Sequence, residues 1–338
     1  MLFLKVPKKQ AEAVRQKLIA ADNYARGYRA FSEGDFVFIP ITKKPRGRYA
    51  TVELEKEEKT KPRDLRSALE GVLSKENIDK VVTSFDIIGD IAIIEVPEGM
   101  EKYEPAIAQG IMQVHPVVQV VAKKLGGMEG EFRVRPLKVI AGENRTETIY
   151  KEHGCKFKLD VAAVYFSIRL STERKRIADL AKPGEKILAL FAGVGPFPIV
   201  LAKQQPTAEI IAVELNPAAT EYMRQNVLLN KLKNVVVEQG DAREIVMKKY
   251  RKYADRILMT LPKSADKFLD VAFAGARDGC VVHIYHFAPV ENPYEDIEKR
   301  IAEEAEKAGA KAEIINKKIV RPYAPKIVQV VVDFRVVK

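Results

Sequence analysis

From residue 186 onward the chain alternates short apolar runs with longer amphipathic stretches. Residues 187–190 (Ile-Leu-Ala-Leu), 210–213 (Ile-Ile-Ala-Val), 235–237 (Val-Val-Val) and 257–259 (Ile-Leu-Met) are apolar at every position. The first run predicts a strand buried on both faces and the other three predict further strands, the pattern of an α/β sheet. The first run breaks into Gly193 and Gly195, and a helical pattern then opens with Pro196. A strand, glycines and a helix in that order begin an α/β nucleotide-binding unit. Further on, residues 266–274 predict a helix, 280–285 a central strand and 292–308 a charged helix, while 312–320 and 327–336 predict a closing antiparallel pair. Arg321-Pro322-Tyr323-Ala324-Pro325 reads as the rigid turn between them.

Upstream the elements are smaller. Residues 2–6 predict a strand, 8–21 a helix with Ala11, Val14, Leu18 and Ile19 on one face, and 36–41 a second strand. A β-α-β unit of about 50 residues is too small to be comfortable alone, and the polar tract 53–66 that follows reads as a linker. Residues 67–122 predict a compact α+β platform: a helix, a strand pair 83–86 and 91–96 around Gly89-Asp90, a helix over 102–114, and an apolar run at 117–122. In 128–176 charges interrupt the strand-like runs. Phe132-Arg133-Val134-Arg135 alternates and places Arg133 and Arg135 on one face of a strand. Residues 142–146 have turn chemistry, 156–160 alternate again, and Tyr165-Phe166 offers aromatic surface before Arg169, Glu173 and Arg174. From the residues alone, this segment is first of all a charge-guarded sheet edge. The expected division is 1–55, a linker 56–66, a platform 67–170 and an α/β domain 171–338.

Charge and composition narrow the function classes. No apolar run approaches a membrane span of about 20 residues, and the apolar start at residues 1–4 is too short for a signal peptide, so an intracellular, cytoplasmic protein is expected. Two cysteines and four scattered histidines give neither zinc spacing nor a disulfide framework, so no metal is expected; His283 and His286, on an apolar run, read as packed core or rim residues. The net charge of +11 suits a polyanionic partner, although Lys and Glu also accumulate in the surface ion networks of thermally adapted proteins. The net is +7 over residues 1–66, zero over 67–176 and +4 over the rest, and residues 123–176 alone carry +6. Basic charge therefore sits at the N-terminus and just ahead of the α/β domain, where a nucleic-acid backbone can be held.

The strand ends carry the candidate chemistry. Gly193 and Gly195 permit a tight turn and a close ligand approach. Glu214 ends the second strand about 20 residues beyond them, where a carboxylate can accept both ribose hydroxyls of a nucleoside. The third strand leads to Gly240-Asp241-Ala242 and the fourth to Thr260-Leu261-Pro262-Lys263. Four strand ends thus meet along the edge where open α/β sheets bind ligands. Taken singly, Glu214 and Asp241 also fit as helix caps.

Phe191-Ala192-Gly193-Val194-Gly195, Glu214 with Asn216-Pro217, Gly240-Asp241 and Leu261-Pro262-Lys263 resemble the motifs of class I S-adenosylmethionine-dependent methyltransferases. The segments 130–135 (Gly-Glu-Phe-Arg-Val-Arg), 141–146 (Ala-Gly-Glu-Asn-Arg-Thr), 164–167 (Val-Tyr-Phe-Ser) and 323–325 (Tyr-Ala-Pro) extend the resemblance. With them the chain resembles archaeal tRNA (guanine-37-N1)-methyltransferases over nearly its whole length. The resemblance implies a class I methyltransferase, Rossmann-like C-terminal domain preceded by α+β RNA-binding domains. It implies S-adenosylmethionine as methyl donor and tRNA as partner, held at the anticodon loop and, by the N-terminal domain, at the outer corner. Monomer is the default. It also implies Glu173 as general base and Arg133 as support for the guanine O6. Tyr165 and Pro262 would line the cofactor pocket together with Phe191, Ala192, Gly193, Gly195, Glu214, Leu215, Asp241, Ala242 and Thr260. Arg135, Arg145, Arg169, Arg174 and Lys263 would meet the RNA, and the 321–325 turn fits an RNA contact and a stiff hairpin equally.

The chemistry requires such a pair. Guanine N1 carries a proton at neutral pH, so a carboxylate must remove it as the methyl arrives, and a guanidinium at O6 stabilises the negative charge that grows there. Two positions depart from the family pattern: Ala189 replaces an acid and Thr260 an asparagine. The lost carboxylate is expected to weaken cofactor binding, while Thr260 keeps a polar contact. The competing readings are a wyosine-pathway transferase acting on the same nucleotide, by methylation or aminocarboxypropyl transfer, and a tRNA-binding protein without chemistry.

Overall fold

The apolar runs after residue 186 pair into one seven-stranded sheet in a computed structural model of the chain, which describes all residues except 26, 27, 29, 46–48, 56–61, 129, 131 and 133. Two compact units divide the chain, residues 1–79 with 109–116 and residues 80–108 with 117–338.

In the first unit, β1 (Leu2–Pro7), α1 (Ala11–Ala20), β2 (Phe31–Glu33), β3 (Phe36–Ile41) and β4 (Ala50–Glu53) form an antiparallel sheet in the order β2-β3-β1-β4 with one helix. Leu4, Val6, Leu18, Ile39 and Ile41 are its core. The sequence pattern missed β2 and β4, both short and half exposed. Two short helices, α2 (Leu65–Leu69) and α3 (Lys75–Lys80), follow. Asp64 accepts the Ser67 N–H at 2.9 Å and caps α2, so the end of the expected linker is helical; residues 56–61 lie outside the described residues.

The second unit begins with a four-stranded sheet of β5 (Asp86–Ile88), β6 (Ile91–Ile94), β7 (Val120–Lys124) and β8 (Leu137–Gly142), with α4 (Glu104–Val114) between β6 and β7 in sequence and divided between the units. A hairpin of β9 (Glu147–Glu152) and β10 (Cys155–Asp160) follows. Of the expected strand at 132–135, Phe132 lies in a turn, Val134 makes a bridge and Arg135 is irregular, while residue 133 lies outside the described residues. Pro136, which follows the segment, has no N–H to give to a ladder.

The remaining elements are α5 (Ser171–Leu180), β11 (Lys186–Leu190), α6 (Pro196–Gln204), β12 (Glu209–Glu214), α7 (Pro217–Leu229), β13 (Val235–Gln239), α8 (Ala242–Lys249), β14 (Ala254–Met259), α9 (Leu269–Gly275), β15 (Ala276–Pro289), α10 (Glu295–Lys307), β16 (Lys311–Ala324) and β17 (Ile327–Val337). The strand order is β13-β12-β11-β14-β15-β17-β16, parallel through β15, with β17 antiparallel to both neighbours. Alternation within β11 explains the two-sided burial. Ile187 and Ala189 join the core made with α5, α6 and α7, whereas Leu188 and Leu190 join the core made with α8, α9 and α10. Each fully buried Leu or Ile contributes about 1.5–3 kcal/mol.

Two asparagines on α7 dock the hairpin. Asn226 accepts the Lys158 N–H at 2.6 Å and donates to the Lys158 carbonyl at 3.0 Å, and Asn230 does the same with Lys156 at 2.8 and 2.7 Å. Side chains thus satisfy the open edge of β10 and fix the turn that leads to Tyr165. Residues 321–324 belong to the bulged edge strand β16 rather than to a turn, which lies at Pro325-Lys326. Proline is tolerated at bulges of edge strands.

Candidate active site

The sheet order reverses between β11 and β14, and a cleft of about 450 Å³ opens at the carboxyl ends of β11, β12, β13 and β14. That position and size suit a small-molecule site. Gly193 lines it with φ +57°, and a Cβ there would meet nothing nearer than the Tyr165 carbonyl at 4.0 Å, so the backbone faces open space. Gly195 has a different job. It does not line the cleft; with φ +87° it opens α6, and a Cβ would come within 2.8 Å of Ile199 and 3.0 Å of Met223. Ala192 is also turned inward, donating to the Val213 carbonyl and accepting from Gly195 N–H, each at 3.0 Å. These two expected cofactor contacts are therefore builders of the turn.

Glu214 enters the cleft from β12. Its carboxylate accepts the Gly193 N–H at 2.7 Å and the Asn216 N–H at 2.8 Å. Burial pushes its pKa above the usual carboxylate range, against the pull of those N–H groups. Asp241 lines the same wall while its Oδ1 caps α8, accepting from Arg243 N–H at 2.7 Å and Glu244 N–H at 3.3 Å, so the cap and the cleft residue are one side chain. Leu215, Ala242, Pro262 and the exposed Lys263 also line the cleft. Thr260 Oγ1 lies 3.0 Å from the Phe191 carbonyl and 3.2 Å from that of Leu190. It thereby braces Phe191, a non-glycine residue at φ +60° whose ring stands edge-on to Phe268 at 4.9 Å. Ala189, the other departure, is buried in the apolar core and is not part of the cleft wall.

These features fit an adenosyl cofactor: backbone open at a glycine, a carboxylate in the cleft wall at the end of the neighbouring strand, and apolar side chains beside them. Glu214, Asp241, Leu215 and Phe191 would hold the nucleoside, and Gly193 and Thr260 shape the turn beside it.

Glu173, in the first turn of α5, is 2% exposed and does not line the cleft. Its Oε1 accepts from Arg176 Nε at 2.8 Å, Arg176 Nη2 at 2.6 Å and the Tyr285 hydroxyl at 2.8 Å. Oε2 is buried without a hydrogen bond, 3.6 Å from Lys318 Nζ. Behind Glu173 runs a chain of buried charges that sequence reasoning missed. Arg176 Nη1 donates to Asp333 at 2.7 Å, and Asp333 lies 2.6 Å from His283 Nδ1. His283 Nε2 lies 2.6 Å from Arg256, which grips Glu185 at 2.7 and 2.9 Å. A guanidinium cannot accept, so Nε2 accepts from Arg256 and Nδ1–H donates to Asp333. Burial holds the His283 pKa below its ordinary value despite Asp333. Burial opposes the charge on Asp333 too, yet His283 and Arg176 hold its carboxyl far below the usual range. The available signal was a histidine and an aspartate each set within an apolar run, and the β15–β17 register sets His283 directly opposite Asp333.

The expected RNA-facing arginines divide. Arg174 is a correction: it is 1% exposed, donates to Glu152 at 2.5 and 2.7 Å and to the Ser167 carbonyl at 3.1 Å, and is locked inside the unit. Arg145 clamps Asp90 and Glu143, which hold its guanidinium more basic than usual. Arg169 pairs with Asp86 at 2.9 Å and, with Arg135, borders a second cavity. Arg133 lies outside the described residues. Tyr165 lines both cavities.

Three domain families match the sequence in succession: the tRNA methyltransferase 5 N-terminal domain over residues 4–50, the TYW2 N-terminal domain over 65–146, and the TRM5/TYW2 methyltransferase domain over 148–315. The chain is 45% identical over 337 residues, 99% of each protein, to tRNA (guanine(37)-N(1))-methyltransferase Trm5b of Pyrococcus abyssi. A solved complex of aTrm5 and tRNALeu superposes with a TM-score of 0.73 at 32% identity, covering 100% of both chains. The tRNA(Phe) (4-demethylwyosine(37)-C(7)) aminocarboxypropyltransferase of Methanocaldococcus jannaschii is 39% identical over 204 residues, 60% of this chain and 80% of that one. The chain belongs to the TRM5/TYW2 methyltransferase family and, within it, to the archaeal tRNA (guanine-37-N1)-methyltransferases, which depend on S-adenosylmethionine.

Proposed function

We propose that this chain methylates N1 of guanosine 37 in tRNA, with Glu173 as general base. The observation that carries the reading is the match over 99% of the chain to a guanine-37 methyltransferase, including the N-terminal domain, against 60% and 82% for two aminocarboxypropyl transferases. When bound, S-adenosylmethionine supplies an electrophilic methyl carbon. The protein's part is alignment and proton removal. Arg176 and Tyr285 hold Glu173 Oε1; Oε2, buried 3.6 Å from Lys318 Nζ, is the oxygen without a hydrogen bond, and the role requires that binding of the RNA brings it within reach of the N1 proton as the N1–carbon bond forms. Arg133 stabilises the charge growing at O6, a role that rests on the resemblance. Tyr165, on the cleft wall, keeps water from the reacting atoms. Residues 1–55 grip the outer corner of the tRNA, the platform up to residue 170 holds the anticodon arm, and the domain from 171 carries the chemistry.

Single-turnover transfer of labelled methyl to full-length tRNA transcripts with G or A at position 37 tests this. Label is expected with G only, and Glu173→Gln is expected to slow transfer about 10²- to 10⁴-fold. If the G transcript stays unlabelled while cofactor and tRNA both bind, the substrate is instead a wyosine intermediate.

A further inference from the structure

A second cavity of about 380 Å³ opens on the other side of Tyr165, between the platform sheet and the hairpin end of β16. Among the described residues four cations border it, Lys124, Arg135, Arg169 and Arg321, against one carboxylate, Asp86, which is already engaged by Arg169. Arg135 Nε is buried there without a hydrogen-bond partner, an orphaned donor of a kind that native structures rarely leave unpaired. Tyr323, 47% exposed, stands at the rim with its ring stacked on Phe287 at 3.9 Å and the Arg321 guanidinium 5.8 Å from its centroid. An exposed ring held rigid from behind is a stacking platform that loses little freedom when a base lands on it.

We propose that this cavity holds a nucleotide adjoining the target in the RNA chain, its base stacked on Tyr323 and its phosphate met by Arg135 and the neighbouring cations. The proposal rests on the tRNA reading above. Tyr165, as the shared wall, then separates the target nucleotide from its neighbour, which couples the splayed RNA backbone to the cofactor cleft.

The test is equilibrium binding of the full chain to full-length G37 tRNA transcripts, intact or abasic at position 36 or 38. Tyr323→Ala is expected to bind the intact transcript about tenfold more weakly, and Tyr323→Phe to restore binding. On the abasic transcript that already weakens the unsubstituted chain, Tyr323→Ala is expected to cost nothing more. Additive losses on all transcripts would overturn the proposal. So would competition by free AMP or GMP without such coupling, which would mark a mononucleotide site. Arg135→Gln is expected to reduce the slope of log affinity against log salt by about 1; an unchanged slope removes the phosphate contact. Methyl transfer by the unsubstituted chain is followed in parallel. Its absence with the coupling intact would defeat the methylation reading and leave the nucleotide site standing.

Discussion

At the scale of single residues, Glu214 has two opposed demands. Burial raises its pKa, so ionisation costs the free protein stability that is recovered as pH falls through the folded value. If Glu214 takes the ribose hydroxyls, which are donors, its ionised form is the better acceptor, so binding has the opposite sign: it is strongest above the folded pKa and weakens below it. Because that pKa is raised, the loss begins at higher pH than for an ordinary glutamate. Calorimetric titration with S-adenosylhomocysteine across mildly acidic pH is expected to show affinity falling on acidification. Glu214→Gln is expected to lower affinity by about 1.5–3 kcal/mol, the range for hydrogen bonds to a charged group, and to flatten the pH dependence. A pH dependence unchanged in Glu214→Gln would assign the titration to another group. Asp241 and Thr260 are different cases, because each is spent partly on the backbone: one caps α8, the other braces the strained Phe191.

At the scale of elements, α5 shows what a linear pattern carries and what it does not. Glu173 and Arg174 fall in a stretch that reads from its residues alone as a charge-guarded sheet edge, yet both side chains, with Arg176, are paired inside the unit. Arg174–Glu152 ties α5 to β9 at 1% and 4% side-chain exposure. Removing one partner of such a pair strands the other charge. Arg174→Ala is therefore expected to cost about 3–5 kcal/mol in urea unfolding, whereas replacing both by Met and Leu is expected to come close to neutral. The salt dependence of tRNA binding should not change with the double replacement, since Arg174 is not on the surface. The strands β11, β12 and β14 were legible because two-sided burial writes an unbroken apolar run, whereas β13 carries the same kind of run at the sheet edge with Val236 half exposed; Glu214 and Asp241 were legible because a strand end followed by a turn sets their place. The His283–Asp333 pair was not, because it depends on the register of β15 against β17 across 50 residues. The alternation at 132–135 yields a single bridge, at Val134, among its described residues, and the prolines at 322 and 325 suggested a turn from 321, whereas the edge strand continues to Ala324.

At the scale of the whole molecule, the basic charge has two places. Residues 1–66 hold a net +7 and none of those described lines the cleft, whereas residues 123–176, with a net +6, supply Gly130, Phe132 and Tyr165 to its wall. If the N-terminal domain grips the outer corner of the tRNA, each contact makes the other intramolecular, at an effective concentration in the millimolar range for a short flexible tether. The gain then belongs to affinity and not to the chemical step. An anticodon stem-loop transcript, lacking the outer corner, is expected to bind about 10²- to 10⁴-fold more weakly than the full tRNA while reaching a similar single-turnover rate at saturation. The same comparison at rising salt is expected to narrow the gap, because the second site is held largely by phosphate contacts whose counterion release weakens as salt increases. If the stem-loop instead matches full tRNA in affinity at low salt, the basic N-terminal domain does not hold the outer corner. If it binds well but turns over slowly at saturation, that domain acts on the alignment of the target base rather than on its capture.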